Sequence, residues 1–86
     1  MDRCFICQRW AYTETHHIFG GSRRKKSDKM GLVVELCHEC HNEPPNGVHQ
    51  NENNRIALQQ YGQRKAMEMT GWTTEDFIRE FGKNYL

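Results

Sequence analysis

The chain has 86 residues, 36% of them hydrophobic, with a mean hydropathy of −0.94 and a formal net charge of +1. So thin an apolar supply excludes a large self-sufficient core and points to a single domain, 1–86, that needs a staple: disulfides, a metal or a partner chain. It also excludes a membrane span, because no apolar run approaches the ~18 residues required. With no signal peptide in view, the expectation is a cytoplasmic protein whose thiols stay reduced.

In chain order, Cys4-Phe5-Ile6-Cys7 comes first. Trp10 to Phe19 follows, rich in the aromatic, Thr and Ile residues that strands favour. It contains the stretch ETHHIFGG from Glu14 to Gly21. Gly20 to Lys29 reads as a polar, basic loop opened by glycines. The short apolar run Gly31 to Leu36 then leads into Cys37-His38-Glu39-Cys40, and this order predicts a β-hairpin with a long basic loop. Pro44, Pro45 and Asn46-Gly47 predict that any helix begun at the second cysteine pair is short. A longer helix is predicted from Glu52 to Met69, burying Leu58, Tyr61, Ala66 and Met69, weakened by Gly62 and stopped by Gly71. Thr73-x-x-Asp76 opens another short helix with Phe77, Ile78 and Phe81 as its apolar stripe and Gly82 at its end. The fold class is α+β, with a metal-organised unit over 1–49 and a C-terminal helical extension over 50–86.

Two C-x-x-C pairs separated by 29 residues are the spacing of a zinc site. Four thiolates from Cys4, Cys7, Cys37 and Cys40 close a tetrahedron and leave no open position, which marks a structural Zn2+. The alternatives are two disulfides or free core thiols, both less apt for a reduced chain with so small a core.

Five histidines remain. His38 sits within the second pair and is expected to be solvated, without a role. Adjacent residues of a strand point to opposite faces, so His16 and His17 cannot share one environment. If His16, His41 and His49 converge, they make an incomplete imidazole shell with open positions for water and a phosphate, as metal-assisted hydrolysis requires. His17, on the other face, is then free to act as a general base near neutral pH. The plainer alternative is a chance pair, one ring packed and one wet.

ETHHIFGG followed by GLVVELCHECH resembles the HNH endonucleases, the ββα-metal or His-Me finger family with a zinc-containing, treble-clef-like fold. The resemblance covers Cys4 to His49. It implies a metal-dependent endonuclease that hydrolyses phosphodiester bonds in DNA and leaves a 5′ phosphate. By the same resemblance His16 and His41 bind the catalytic divalent ion (Mg2+, Mn2+, Ni2+ or Zn2+), His17 activates water, and His49 completes the shell, with Asn42 or a water as substitutes. The chain departs from the family pattern at Gly31-Leu32, where the family often carries an Asn. Whatever orients His17 must then come from elsewhere, such as a backbone carbonyl. Compact chains of this pattern resemble those of phages and prophages, which implies the bacterial or phage-infected cytosol.

Charge is unevenly spread: seven Lys/Arg stand against three Asp/Glu up to Met30, and five against eight beyond it. Arg23, Arg24, Lys25, Lys26 and Lys29 are the candidate DNA contacts, neutralising phosphates without reading sequence. Taken alone, such a run is a solvated loop. Trp10, Tyr61 and Trp72 are expected in the core rather than stacked on bases. The competing function is a non-catalytic treble-clef zinc module that binds nucleic acid or protein. A homodimer or a DNA-targeting partner protein is compatible with either function.

Overall fold

The computed structural model describes residues 1–86. The predicted strand from Trp10 to Phe19 forms in two pieces because it changes partner at Tyr12. β2 (Trp10–Ala11) pairs antiparallel with β1 (Asp2–Arg3), and β3 (Thr13–His17) pairs antiparallel with β4 (Val33–Cys37). In the second ladder Thr13 stands opposite Cys37 and His17 opposite Val33. Glu35 fixes this register by accepting from the hydroxyls of Thr13 (2.9 Å) and Thr15 (2.7 Å), which share its face of the hairpin.

The stretch expected to be a basic loop is helical instead. Gly21–Arg23 makes one 3-10 turn and Arg24–Lys29 forms α1. Arg and Lys are good helix formers, and one buried side chain anchors the segment. Ser27 donates to the Leu32 carbonyl at 2.6 Å and accepts from the Phe19 amide at 3.3 Å. α1 is thereby fastened to the far end of the hairpin, and its polar anchor is fully satisfied.

α2 (His38–Asn42) starts directly after Cys37 and is short, as the prolines predict. α3 runs Glu52–Thr70 and α4 runs Thr74–Phe81. Asn51 caps α3 by accepting from the Asn54 amide, and Thr73 with Asp76 forms a reciprocal capping box at α4. Gly71 (φ 75°) and Gly82 (φ 85°) take the left-handed conformation that ends each helix. No helix is long and apolar enough to cross a membrane.

The core joins the hairpin to the C-terminal helices. Ile18, Phe19, Leu32, Leu36, Val48, Leu58, Ala66, Phe77 and Phe81 are all buried. Phe19 is the hub, its ring 4.7 Å from Phe81, 5.6 Å from Phe77 and 5.3 Å from Tyr85. Buried Gln63 donates to Asn84 and accepts from the Tyr85 amide at 2.7 Å, holding the tail against α3. Two expected core residues are exposed. Met69 stands one turn beyond Ala66, the last buried residue of α3, and Ile78 is rotated about 100° from the buried Phe77. Trp10 is also exposed, on the short outer ribbon, while Tyr61 and Trp72 pack against the core.

Gly62 is a close-approach residue rather than merely a weak helix former. A Cβ there would stand 2.7 Å from Ile18 Cγ2 and 2.9 Å from the Phe19 ring. We predict that Gly62→Ala destabilises the fold, because an overpacking cost of ~1–3 kcal/mol outweighs a helix-propensity gain of ~1 kcal/mol. Urea denaturation measures this, and an unchanged or raised midpoint would contradict the packing described.

Candidate functional site

Two clusters of ligand-type side chains lie at the two ends of β3. At the first, the turn after β1 carries Cys4 and Cys7, while Cys37 closes β4 and Cys40 lies in α2. The turn is shaped by Gln8 N–H donating to the Cys4 carbonyl and Cys4 N–H to the Arg9 carbonyl, both at 2.9 Å, and it docks on β4 through Phe5 N–H to the Glu35 carbonyl at 2.8 Å. The four sulfurs lie within 4.8 Å of one another and none is in a disulfide. Cys7 Sγ and Cys37 Sγ are 3.8 Å apart, matching the ~3.8 Å edge of a tetrahedron with metal–sulfur bonds of ~2.3 Å. The four cysteines are therefore close enough to hold a metal ion such as zinc.

Arg9, which carries no metal-ligand signature of its own, points its guanidinium at two of the sulfurs. Nε lies 3.4 Å from Cys7 Sγ and Nη2 lies 3.9 Å from Cys37 Sγ. Hydrogen bonds from its side chain and then its backbone bring the Cys7 thiol down to about 6, toward the thiolate a metal needs. Burial and the neighbouring sulfurs push Cys40 the other way.

At the second cluster the structure brings His16, His41 and His49 together, their ligand nitrogens within 4.8 Å of one another. The prolines do not keep His49 away. The segment after α2 folds back, with Val48 N–H on the Cys40 carbonyl (2.9 Å) and His49 N–H on the His41 carbonyl (3.3 Å). Ring centroids are 5.2 Å apart for His16 with each partner and 4.8 Å for His41 with His49. The Nε2 atoms of His41 and His49 are 3.1 Å apart, close to the ~3.3 Å separation of two imidazole nitrogens bound ~2.0–2.1 Å from one ion. His49 holds this place, and Asn42 is exposed at the C-terminal end of α2.

His17 reaches the same cleft from the end of β3. A cavity of about 290 Å³ is lined by Thr15, His16, His17, Gly20, Arg24, His41 and His49, with no apolar side chain among them. His17 turns its Nε2 to Asp28 Oδ1 at 3.4 Å. The charged group beside this ring is thus a carboxylate from α1. No family model, curated protein or solved structure matches the chain. The site's chemistry is therefore read from its own atoms.

The basic run divides once it is helical. Arg24 lines the histidine cleft. Lys26 pairs with Glu80 at 2.8 Å, and the Arg23 guanidinium lies against Gly82, so both lean on α4 and the residues that follow it. Lys25 and Lys29 are exposed. His38, expected to be idle, has Nδ1 3.0 Å from Glu14 Oε2. The other oxygen of Glu14 takes His41 Nδ1 at 2.7 Å. Glu14 stands two residues before His16, so strand alternation alone could have placed both on one face. Asp28 carries no such signal, since α1 itself was read as a loop.

Burial first, and then the neighbouring His41 and His49, hold the His16 imidazole down to about 4. Burial, followed by His41 and Arg55, lowers His49 as well. An unfolded His16 takes up its proton near 6.5, the folded ring only near 4. The stability tied to this ring is therefore complete above pH 6.5 and lost as pH falls toward 4. We predict that NMR titration of the protein without added divalent ions finds His16 neutral down to about pH 4. A midpoint at the ordinary imidazole value would mean that the ring is solvated and the cluster open.

Proposed function

We propose that the chain is a metal-dependent endonuclease of the HNH type, hydrolysing phosphodiester bonds in DNA on a zinc-stabilised ββα-metal, treble-clef-like fold. The observation that carries the proposal is the composition of one small cleft. Three imidazoles face one another, a fourth stands apart on its own carboxylate, and an arginine closes the rim. A satisfied core would not need four histidines there, and a purely structural zinc module has no use for them.

In this reading Cys4, Cys7, Cys37 and Cys40 hold the structural Zn2+ and His16, His41 and His49 hold a second divalent ion. Imidazole donors suit Zn2+, Ni2+, Co2+ and Mn2+ to different degrees. The second ion, when bound, supplies Lewis-acid stabilisation of charge on the phosphate and the leaving 3′ oxygen. The remaining work belongs to the chain. His17 accepts the proton of the attacking water, with the Asp28 carboxylate 3.4 Å from its Nε2. Attack forms the new P–O bond as the P–O3′ bond breaks, leaving a 5′ phosphate. Arg24 offsets phosphate charge beside this cleft, and Lys25 and Lys29 extend the positive surface along α1. These contacts carry no base readout, so sequence preference is weak unless a DNA-targeting partner supplies it. A phage or prophage origin and a cytosolic setting agree with this reading.

Plasmid nicking in Mg2+, Mn2+, Ni2+ or Zn2+ tests the proposal together with the metal content of the pure protein. Nicking is expected with two ions per chain. His17→Ala should lower the rate by ~10²-fold or more while leaving both ions and the circular dichroism spectrum in place. Parent-like cutting by that variant would remove His17 as the base. One tightly held zinc and no nicking under any metal would instead mark a non-catalytic zinc module. Stripping the cysteine-bound ion with a strong chelator should unfold the chain, since metal binding and folding are one event in so small a core; a chelated protein that keeps its helical signal would count against a structural zinc.

A further inference from the structure

Glu14 occupies an unusual position between the two ligand clusters. It lies on β3 opposite Leu36, two residues from His16 and on the same face. α2 presents His38 and His41 three residues apart, hence on one side of the helix. Both rings turn Nδ1 toward this one carboxylate, and each has its own oxygen: His41 on Oε1 at 2.7 Å, His38 on Oε2 at 3.0 Å. The hydroxyls of Thr13 and Thr15 go to Glu35 on the other face, so Glu14 serves the histidines alone.

The consequence lies at the far side of the His41 ring. A neutral imidazole that donates from Nδ1 has no proton on Nε2. That Nε2 faces His49 Nε2 at 3.1 Å, with His16 edge-on to both rings. Without an acceptor at Nδ1, the ring is free to carry its proton on Nε2, aimed into the cluster where a cation would sit. His38 belongs to the Cys37–Cys40 segment, so the same carboxylate ties the cysteine knuckle to the imidazoles.

We infer that Glu14 is the positioning residue of the histidine cluster, fixing His41 in the tautomer that offers its Nε2 lone pair and locking α2 to β3 at the height where the three imidazoles meet. The role of that tautomer in cation capture rests on the function proposed above, whereas the tautomer itself does not. A carboxylate is required because it accepts from two N–H donors at once. An amide would accept from one and set its own NH2 against the other.

The test uses the full chain, purified with its cysteine-bound metal and cleared of loosely held ions. Ring 15N NMR of the parent is expected to give His41 protonated at Nδ1 and bare at Nε2. Co2+ titration followed by visible absorption reads affinity at the histidines. Glu14→Gln should mix the His41 tautomers and weaken Co2+ binding by ~10–100-fold, the range for loss of a carboxylate behind a ligating imidazole. Its zinc content and fold should stay as in the parent. An unchanged tautomer, or Co2+ affinity equal to the parent's, overturns the inference. If the parent takes up no Co2+ and Glu14→Gln still shifts the His41 tautomer, the positioning role stands and the cation site proposed above falls. Should Glu14→Gln fail to fold, Glu14→Asp keeps the charge with a shorter reach. It is expected to keep His41 protonated at Nδ1 and to bind Co2+ with intermediate to parent-like affinity, and a His41 ring protonated at Nε2 there would equally overturn the role.

Discussion

The meeting of Cys4 and Cys7 with Cys37 and Cys40 is the constraint that the rest of the molecule depends on. It joins the first turn of the chain to the junction between β4 and α2. A chain of 86 residues buries too little surface to hold such a junction by packing alone. Four thiols gather around one point at this corner, with Arg9 against two of them. In the proposed zinc-bound state that corner is closed covalently in all but name.

The imidazole cluster inherits its geometry from that corner. His41 is the residue after Cys40, and the register of the hairpin sets Thr13 opposite Cys37, so His16 is held at a fixed height along β3 relative to α2. The return of His49 is equally tied to the corner, because Val48 bonds the Cys40 carbonyl and His49 the His41 carbonyl. Glu14 completes the connection from the strand side. Order at the sulfurs is in this way transmitted to the nitrogens through short, hydrogen-bonded steps rather than through a packed core.

The C-terminal helices are part of the same arrangement and not an appendage. Phe77 and Phe81 bury themselves on Phe19, which directly follows the His16-His17-Ile18 stretch. Gly62 lets α3 approach Ile18 and Phe19 more closely than any side chain would permit. Lys26 of α1 pairs with Glu80 of α4, while Arg24 and Asp28 of the same helix stand beside the histidines. The hydrophobic half of the molecule thus orients the polar groups of the cleft.

Much of this was legible in the residues. Cysteine pairs, a histidine doublet, the helix start at Thr73, and terminating glycines at Gly71 and Gly82 are local patterns, and local sterics and hydrogen bonding give them one meaning in almost any context. The buried faces of α3 and α4 were partly legible, since periodicity finds the stripe but not where the neighbouring element ends, and so Met69 and Ile78 lie outside. α1 was missed because a polar run has no periodicity to reveal it, and it is held by the single buried contact of Ser27. Glu14, Asp28 and Arg9 gained their roles only in three dimensions. A carboxylate or guanidinium is defined by the donors and acceptors that the fold brings within hydrogen-bonding distance, and those come from strands and helices far apart in the chain. The sequence by itself determined which ligand atoms exist and how they are grouped; the tertiary structure decided which of them face one another, because that depends on register, helix rotation and the path of the segment between His41 and His49.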